Sequence, residues 1–234
     1  MIGEIRVSVI VPAYNEQETI LDILTEVKLQ KIEAVEFEVI VVDDCSTDGT
    51  VSLLEDNADL YASLVRLEKN VGKGAAVKAG LERASGDFIL FQDADMEYHP
   101  EEYKKLLEPV RKYNADLVMS SRFAAPDYTR VVYFWNKMGN RLITFLFNIL
   151  NNTTFTDIYS CYMLFRRDLV PSENLKYMAW SQHAEILSIA QKSARVIYEV
   201  PISYHGRTLE EGKKIRPYHI ISVVWAIFVC RFFR

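Results

Sequence analysis

Two pairs of acids stand where a chain could use them for chemistry. Asp43 and Asp44 close one Val/Ile-rich run, FEVIVVDD, and Asp93 and Asp95 close another, FILFQDAD, with Glu97 two residues further on. Side chains two apart in an extended chain point to the same side. Asp93 and Asp95 could therefore bridge one hard divalent cation, with Glu97 or Gln92 as a further oxygen ligand. A Mg²⁺ or Mn²⁺ held in this way would neutralise a diphosphate leaving group as a Lewis acid. The plainer alternative is a pair of solvated loop acids or helix caps, and the tripeptide alone leaves both open.

The elements that must position these acids are read from the patterning. Short Val/Ile-rich runs alternate with helix-length amphipathic stretches, which predicts an α/β fold with a mostly parallel central sheet flanked by helices. Strands are expected at Val7 to Val11, Glu38 to Val42, Leu64 to Leu67 and Phe88 to Gln92. Helices are expected from Glu16 to about Lys31, Thr50 to about Asn57 and Ala75 to Ala84. The acids then sit at the carboxyl ends of strands, where open α/β sheets bind ligands. Beyond Arg122 the texture changes. A loop over Phe123 to Tyr128 precedes a long helix, Val131 to Leu150, in which Trp135, Met138, Leu142, Phe145 and Ile149 recur at three- and four-residue steps. Short strands at Tyr162 to Phe165 and Val196 to Tyr204, with a helix from about Ser181 to Lys192 between them, complete the expected fold.

Composition and missing motifs narrow the function. The 234 residues are 50% hydrophobic and 25% charged, which excludes a disordered chain and supplies a full core. The formal charge of −5 argues against nucleic acid as a partner. It hides a basic end, since residues 206–234 carry six cations against two anions. Cys45, Cys161 and Cys230 are too scattered for a disulfide framework or a zinc site, which fits a reducing compartment. No segment reaches the roughly 18 apolar residues of a membrane span. The first strand ends in PAYNE rather than a GxGxxG turn, NVGKGAA lacks the Ser/Thr of a phosphate-binding P-loop, and the GxSxG elbow is missing.

The segments SVIVPAYNE, FEVIVVDDCSTDGT, NVGKGAAVKAGLERASGDFILFQDAD and MSSRF together resemble the family 2 glycosyltransferases of the GT-A (nucleotide-diphospho-sugar transferase) fold. Within that family, TDIYSCYMLFRRD and EVPISYHGRTLEEGKKIR resemble the branch of dolichol-phosphate mannosyltransferases and polyprenol-phosphate glucosyltransferases. The resemblance implies an inverting transfer of a hexose, mannose or glucose, from a GDP- or UDP-sugar to polyprenyl or dolichyl phosphate, with Mg²⁺ or Mn²⁺ as cofactor. Carried over residue by residue, it implies that Pro12, Tyr14 and Glu16 line the nucleotide pocket with Asp93 and Ala94. Asp44 or Asp43 would accept a hydrogen bond from the base, and Gly72, Lys73 and Gly74 would close over it. Asp93, Asp95 and Glu97 would hold the metal, although the mannosyltransferases commonly carry Gln where Glu97 stands. Arg122 would meet phosphate oxygens, and Asp157 would contact the sugar, orient the acceptor or act as base. Arg207, Lys213 and Lys214 would clamp the acceptor phosphate and the donor diphosphate.

A phosphate nucleophile with a second pKa near ~6 is already charged at neutral pH and needs no strong base. A hydroxyl acceptor would need one. Alternatives therefore stay open: a soluble family 2 transferase acting on a saccharide or protein hydroxyl, or a catalytically silent sugar-nucleotide-binding protein. The expected organisation is a nucleotide-sugar half at 1–125, an acceptor half at 126–205 with an interfacial helix at 131–150, and a basic loop with a C-terminal amphipathic helix at 206–234. Aromatic residues of both helices, Trp135 and Trp225 among them, could enter a membrane surface, with Lys137, Arg141, Arg231 and Arg234 toward anionic lipid; the alternative is that one or both helices are buried in the core or at a dimer interface. The expected location is the cytoplasmic face of a membrane, as a peripheral protein or as part of a longer membrane protein. A homo-oligomer is left open.

Overall fold

The computed structural model describes residues 4–125, 130–131, 133–206 and 219–233. Among these residues, seven strands form one sheet: β1 (Ile5–Ala13), β2 (Val35–Asp43), β3 (Ser63–Arg66), β4 (Phe88–Phe91), β5 (Leu117–Ser121), β6 (Met163–Arg166) and β7 (Ile197–Pro201), in the order β3-β2-β1-β4-β6-β5-β7. Pairing is parallel for β1 with β2 and β4, for β2 with β3 and for β5 with β7, whereas β6 runs antiparallel between β4 and β5. All strands but β6 therefore point the same way, and the ends of β1, β2, β4 and β5 share one edge. The sheet runs across the division expected near residue 125, since β6 lies between two strands of the first half.

Among the described residues, seven α-helices accompany the sheet: α1 (Ile20–Leu29), α2 (Thr50–Asp56), α3 (Lys73–Arg83), α4 (Tyr103–Tyr113), α5 (Phe134–Asn151), α6 (Gln182–Ser193) and α7 (His219–Phe232). β1 is central, and Val7, Val9, Ile10 and Val11 are all fully buried, as expected of a strand covered on both faces. Gly80 lets α3 lie directly on β1, because a Cβ there would stand 2.5 Å from Ile10 Cγ2. The sequence reading places no helix at α4, where Pro109 interrupts the helical pattern.

Two helices begin later than expected. α1 starts at Ile20 rather than Glu16 because residues 14–19 are stitched to the loop after β2. Asn15, at φ 53°, donates its N–H to Ser46 Oγ (2.9 Å) and its side-chain Oδ1 accepts the Thr47 N–H (2.8 Å). Gln17 Oε1 accepts the Gly49 N–H at 2.8 Å. α5 starts at Phe134, and its buried residues are Ile143, Thr144, Phe147 and Asn151. The apolar stripe noted in the sequence faces outward: Trp135 is 80% exposed, Leu142 53%, Phe145 60% and Ile149 62%. On α7, Trp225 and Phe232 are exposed too, while Val223, Ala226, Ile227 and Cys230 are buried. No helix among the described residues is long and apolar enough to cross a membrane.

Candidate active site

The common strand edge opens into a cleft of about 410 Å³. β1 supplies Pro12 and Ala13, followed by Tyr14 and Glu16; the turn after β2 supplies Asp44; the start of α3 supplies Gly72 and Lys73. The turn after β4 contributes Asp93, Ala94, Asp95 and Glu97, and Arg122 follows β5. Segments 110 residues apart in the chain thus meet because parallel strands end at one edge.

Asp44 works first on the protein itself. Its carboxylate accepts the backbone N–H groups of Val71 (2.9 Å) and Gly72 (2.7 Å), pinning the loop before α3. An ionised carboxylate offers about four acceptor positions, so Asp44 retains capacity toward the cleft. Asp43 does not line the cleft; it is buried and accepts the Ser46 N–H at 3.1 Å. Gly72 has φ +110°, and the close approach that Gly72 and Gly74 permit is to the chain's own backbone. A Cβ on Gly74 would stand 2.6 Å from the carbonyl carbon of Met178, whose oxygen accepts the Gly74 N–H at 2.9 Å. That backbone is held by Glu185, fully buried, which accepts the N–H groups of Lys176 and Tyr177. Glu185 thus anchors this loop.

Around the turn after β4, the Lys73 ammonium sits on the Asp93 carboxylate. Burial would push Asp93 up, but Lys73 outweighs it and holds the carboxyl below its ordinary value. Lys73 is raised in turn by Asp93 against its own burial. Asp95 Oδ1 accepts the Glu97 N–H (3.2 Å), and the Glu97 carboxylate accepts the Tyr204 hydroxyl (2.7 Å). Gln92 is built into the core: its Oε1 accepts the hydroxyls of Tyr103 and Tyr162, and its amide donates to the carbonyls of Asp93 and Tyr98. It holds the turn and has no oxygen to spare for a metal.

The donor chemistry of Asp93, Asp95 and Glu97 fits a hard divalent cation, since all three are oxygen ligands lining one cleft. Lys73 stands where such a cation would put its charge on Asp93. Among the described residues no group of three His, Cys, Asp or Glu is gathered closely enough to hold a metal ion. His183 packs its ring 5.5 Å from that of Tyr159 and, pushed down to about 4 by burial and then by Lys73, is neutral at pH 7.

Arg122 is set from behind. Its Nε and one terminal nitrogen donate to the two oxygens of Asp157 at 2.6 and 2.8 Å, and its backbone N–H adds a third bond at 3.1 Å. Asp157 is fully buried and also accepts from Asn140 Nδ2 (3.0 Å) and from the Tyr159 N–H (3.3 Å). Burial opposes its ionisation, but Arg122 prevails and holds the carboxyl below its ordinary value. Asp157 therefore stands behind Arg122 and does not itself line the cleft. The guanidinium also lies over the Tyr204 ring, 5.0 Å from its centre.

Arg207, Lys213 and Lys214, expected to clamp phosphate, lie outside the described residues. The cleft also includes Asn70, Ala179 and Trp180, which the sequence reading does not single out. Trp180 arrives through the loop that Glu185 anchors, and the sequence WSQHAE contains the anchor without showing what it holds.

The Glycosyl transferase family 2 model matches residues 8–171. The chain is 30% identical over 230 residues to the undecaprenyl-phosphate 4-deoxy-4-formamido-L-arabinose transferase of Pseudomonas fluorescens, covering 96% of this chain and 64% of that one. It is 28% identical over 211 residues to the dolichol-phosphate mannosyltransferase of Pyrococcus furiosus, covering 89% and 59%. The chain thus spans about three fifths of the length of these curated relatives. Among solved structures, glucosyl-3-phosphoglycerate synthase from Mycobacterium tuberculosis with Mn²⁺, UDP and glucosyl-3-phosphoglycerate superposes with a TM-score of 0.69 at 22% identity, over 97% of this chain and 80% of that one. S. aureus TarS 1-349 with UDP superposes with a TM-score of 0.61 at 22% identity, over 98% and 67%. These likenesses match the seven-stranded sheet to the GT-A fold expected from the sequence.

Proposed function

The chain belongs to glycosyl transferase family 2, and from that premise we propose that it transfers a hexose from a nucleotide diphosphate sugar to a polyprenyl or dolichyl phosphate, with inversion at the anomeric carbon. One observation carries this reading. The cleft arginine, Arg122, is tied through Asp157 to α5, a helix whose outer face is apolar and exposed. An anion site backed by an uncovered apolar surface suits a substrate that is a phosphate at one end and a hydrocarbon at the other. The two curated relatives are themselves named as transferases acting with undecaprenyl phosphate and dolichol phosphate.

In this reading Pro12, Tyr14 and Glu16 line the nucleotide pocket, and Asp44 contacts the base while holding the loop at Gly72. Asp93 and Asp95, with Glu97, are the carboxylates that would supply oxygen ligands to Mg²⁺ or Mn²⁺, and the cation would neutralise charge on the diphosphate leaving group. Lys73, which lines the same cleft, would then be free to turn its ammonium to the diphosphate. Arg122 binds phosphate oxygens, and Arg207, Lys213 and Lys214 are proposed to add to that charge. A general base is not called for, because the acceptor phosphate is largely dianionic at neutral pH, with a second pKa near ~6. Asp157 is fully buried and saturated with donors, which suits an anchor better than a proton acceptor. The outer faces of α5 and α7 rest on a membrane, with the cytoplasmic face as the proposed side. GDP-mannose and UDP-glucose are both admitted as donors.

The test is a panel of radiolabelled nucleotide sugars offered with a short polyprenyl phosphate, with and without EDTA. Label should enter the organic phase with one donor, vanish with chelator and vanish in Asp95→Ala with thermal stability unchanged. Label reaching saccharide or protein without any lipid phosphate would replace this reading with hydroxyl transfer.

A further inference from the structure

α5 turns an apolar face outward and grips the chain with polar side chains from its inward side. The outer face carries Trp135, Leu142, Phe145 and Ile149; inward, beside the buried Ile143 and Phe147, stand the buried Thr144 and Asn151 and the half-buried Asn140 and Asn148. Asn148 accepts the Phe155 N–H (3.1 Å) and donates to the Phe155 carbonyl (2.7 Å). One turn back, Thr144 Oγ1 accepts the Ile158 N–H at 3.3 Å and donates to Asn140 Oδ1 at 3.2 Å. With its oxygen engaged by Thr144, the Asn140 amide is turned so that Nδ2 donates to Asp157 Oδ1 at 3.0 Å. That same oxygen accepts one arm of the Arg122 fork. Packing alone would be served as well by aliphatic side chains; a ladder of amides and hydroxyls instead fixes a register, because each buried polar group must find its own partner.

We propose that Asn140 is a positioning residue for Arg122, acting through Asp157, so that α5 sets the aim of the cleft's guanidinium. The proposal rests on the reading that Arg122 binds substrate phosphate. Asn140 does not line the cleft; it limits the rotation of a carboxylate whose two oxygens together orient a planar fork. The apolar face of α5 and the anion site are in this way joined by one helix turn and two side chains.

The experiment is a double-mutant cycle on transfer kinetics with wild type, Asn140→Ala, Arg122→Lys and the double variant, plus Asn151→Ala as a control. Asn151 bonds the Phe147 carbonyl and Gln191 at the far end of α5 and has no contact with Asp157. Loss of a hydrogen bond to a charged group should raise the KM for polyprenyl phosphate about tenfold in Asn140→Ala, with kcat changed less. In the Arg122→Lys background, where there is no fork to aim, the same substitution should change KM less than about twofold. Asn151→Ala should leave KM near wild type even where it lowers Tm. If Asn140→Ala folds poorly, Asn140→Ser keeps a small polar side chain too short to reach Asp157 and takes its place in the cycle. Full multiplicative losses in the double variant, or an equal KM rise in Asn151→Ala, would overturn the positioning role while leaving the proposed reaction intact. A wild-type chain without transfer, or Arg122→Lys with wild-type constants, would overturn the underlying reading and the inference with it.

Discussion

Asp157→Ala separates an anchoring carboxylate from a reacting one. In the structure Asp157 is fully buried and the Arg122 side chain 14% exposed, joined by a two-pronged contact of 2.6 and 2.8 Å. Removing one member of such a pair leaves a buried charge without compensation and costs about 3–5 kcal/mol. In a domain of 150–250 residues each kcal/mol moves Tm by roughly 2–4 °C, so the variant should melt roughly 6–20 °C below wild type. The pH dependence has a definite sign. Arg122 depresses the folded pKa of Asp157, so the stabilisation is complete above the unfolded carboxylate value of about 3.9 and is lost as pH falls through the folded value. Thermal melts followed by circular dichroism should show a constant gap between wild type and Asp157→Ala from pH 8 to pH 5, closing only at more acidic pH. Activity should fall with the loss of Arg122 alignment. An Asp157→Ala protein that melts with wild type yet transfers no sugar would refute this reasoning and return Asp157 to the role of base.

Lys73→Met removes the ammonium that now neutralises Asp93, so Mn²⁺ binding to the nucleotide-free protein, followed by electron paramagnetic resonance, should tighten several-fold while transfer falls; unchanged metal affinity would mean that Lys73 does not compete for the carboxylate. Trp135→Ser with Phe145→Ser alters only exposed side chains of α5, so Tm should hold while sedimentation with anionic vesicles drops; retained vesicle binding with lost stability would make the stripe a packing surface.

Much of the strand-end chemistry was legible because it is local. An acid pair directly after a Val/Ile run lands at a strand's carboxyl end once the run is a strand, and both Asp44 and Asp93 line the cleft as a consequence. What each acid touches was not legible. The partners of Asp44, Val71 and Gly72, lie 27 and 28 residues on, and Arg122 finds Asp157 35 residues on, at spacings set by sheet order and not by periodicity. The reversed strand β6 is decisive here: inserted between β4 and β5, it is what brings the segment before it, with Asp157, beside the end of β5. Nothing in TDIYSCYMLF announces that direction. Likewise the glycines of NVGKGAA were readable as sites of close approach, but the neighbour, Met178, is about 100 residues away.

The apolar periodicity of α5 shows why pattern and placement have to be argued apart. A stripe of Trp, Met, Leu, Phe and Ile at helical spacing would ordinarily be assigned to a core, yet here it faces outward, and the inward side carries polar residues beside the buried Ile143 and Phe147. The chain tolerates this because these inward polar groups have partners: Asn140 on Asp157, Thr144 on Ile158, Asn148 on Phe155, Asn151 on Phe147. Burying unpartnered amides would cost ~1–3 kcal/mol each, so the ladder is what permits the apolar face to turn outward. An exposed apolar stripe is in turn unfavourable in water unless something covers it. The two sides of the helix bear on one proposal: the inner side packs Ile143 and Phe147 and holds the loop carrying Asp157, and the outer side is the surface proposed to meet a membrane, from which a lipid phosphate would reach Arg122.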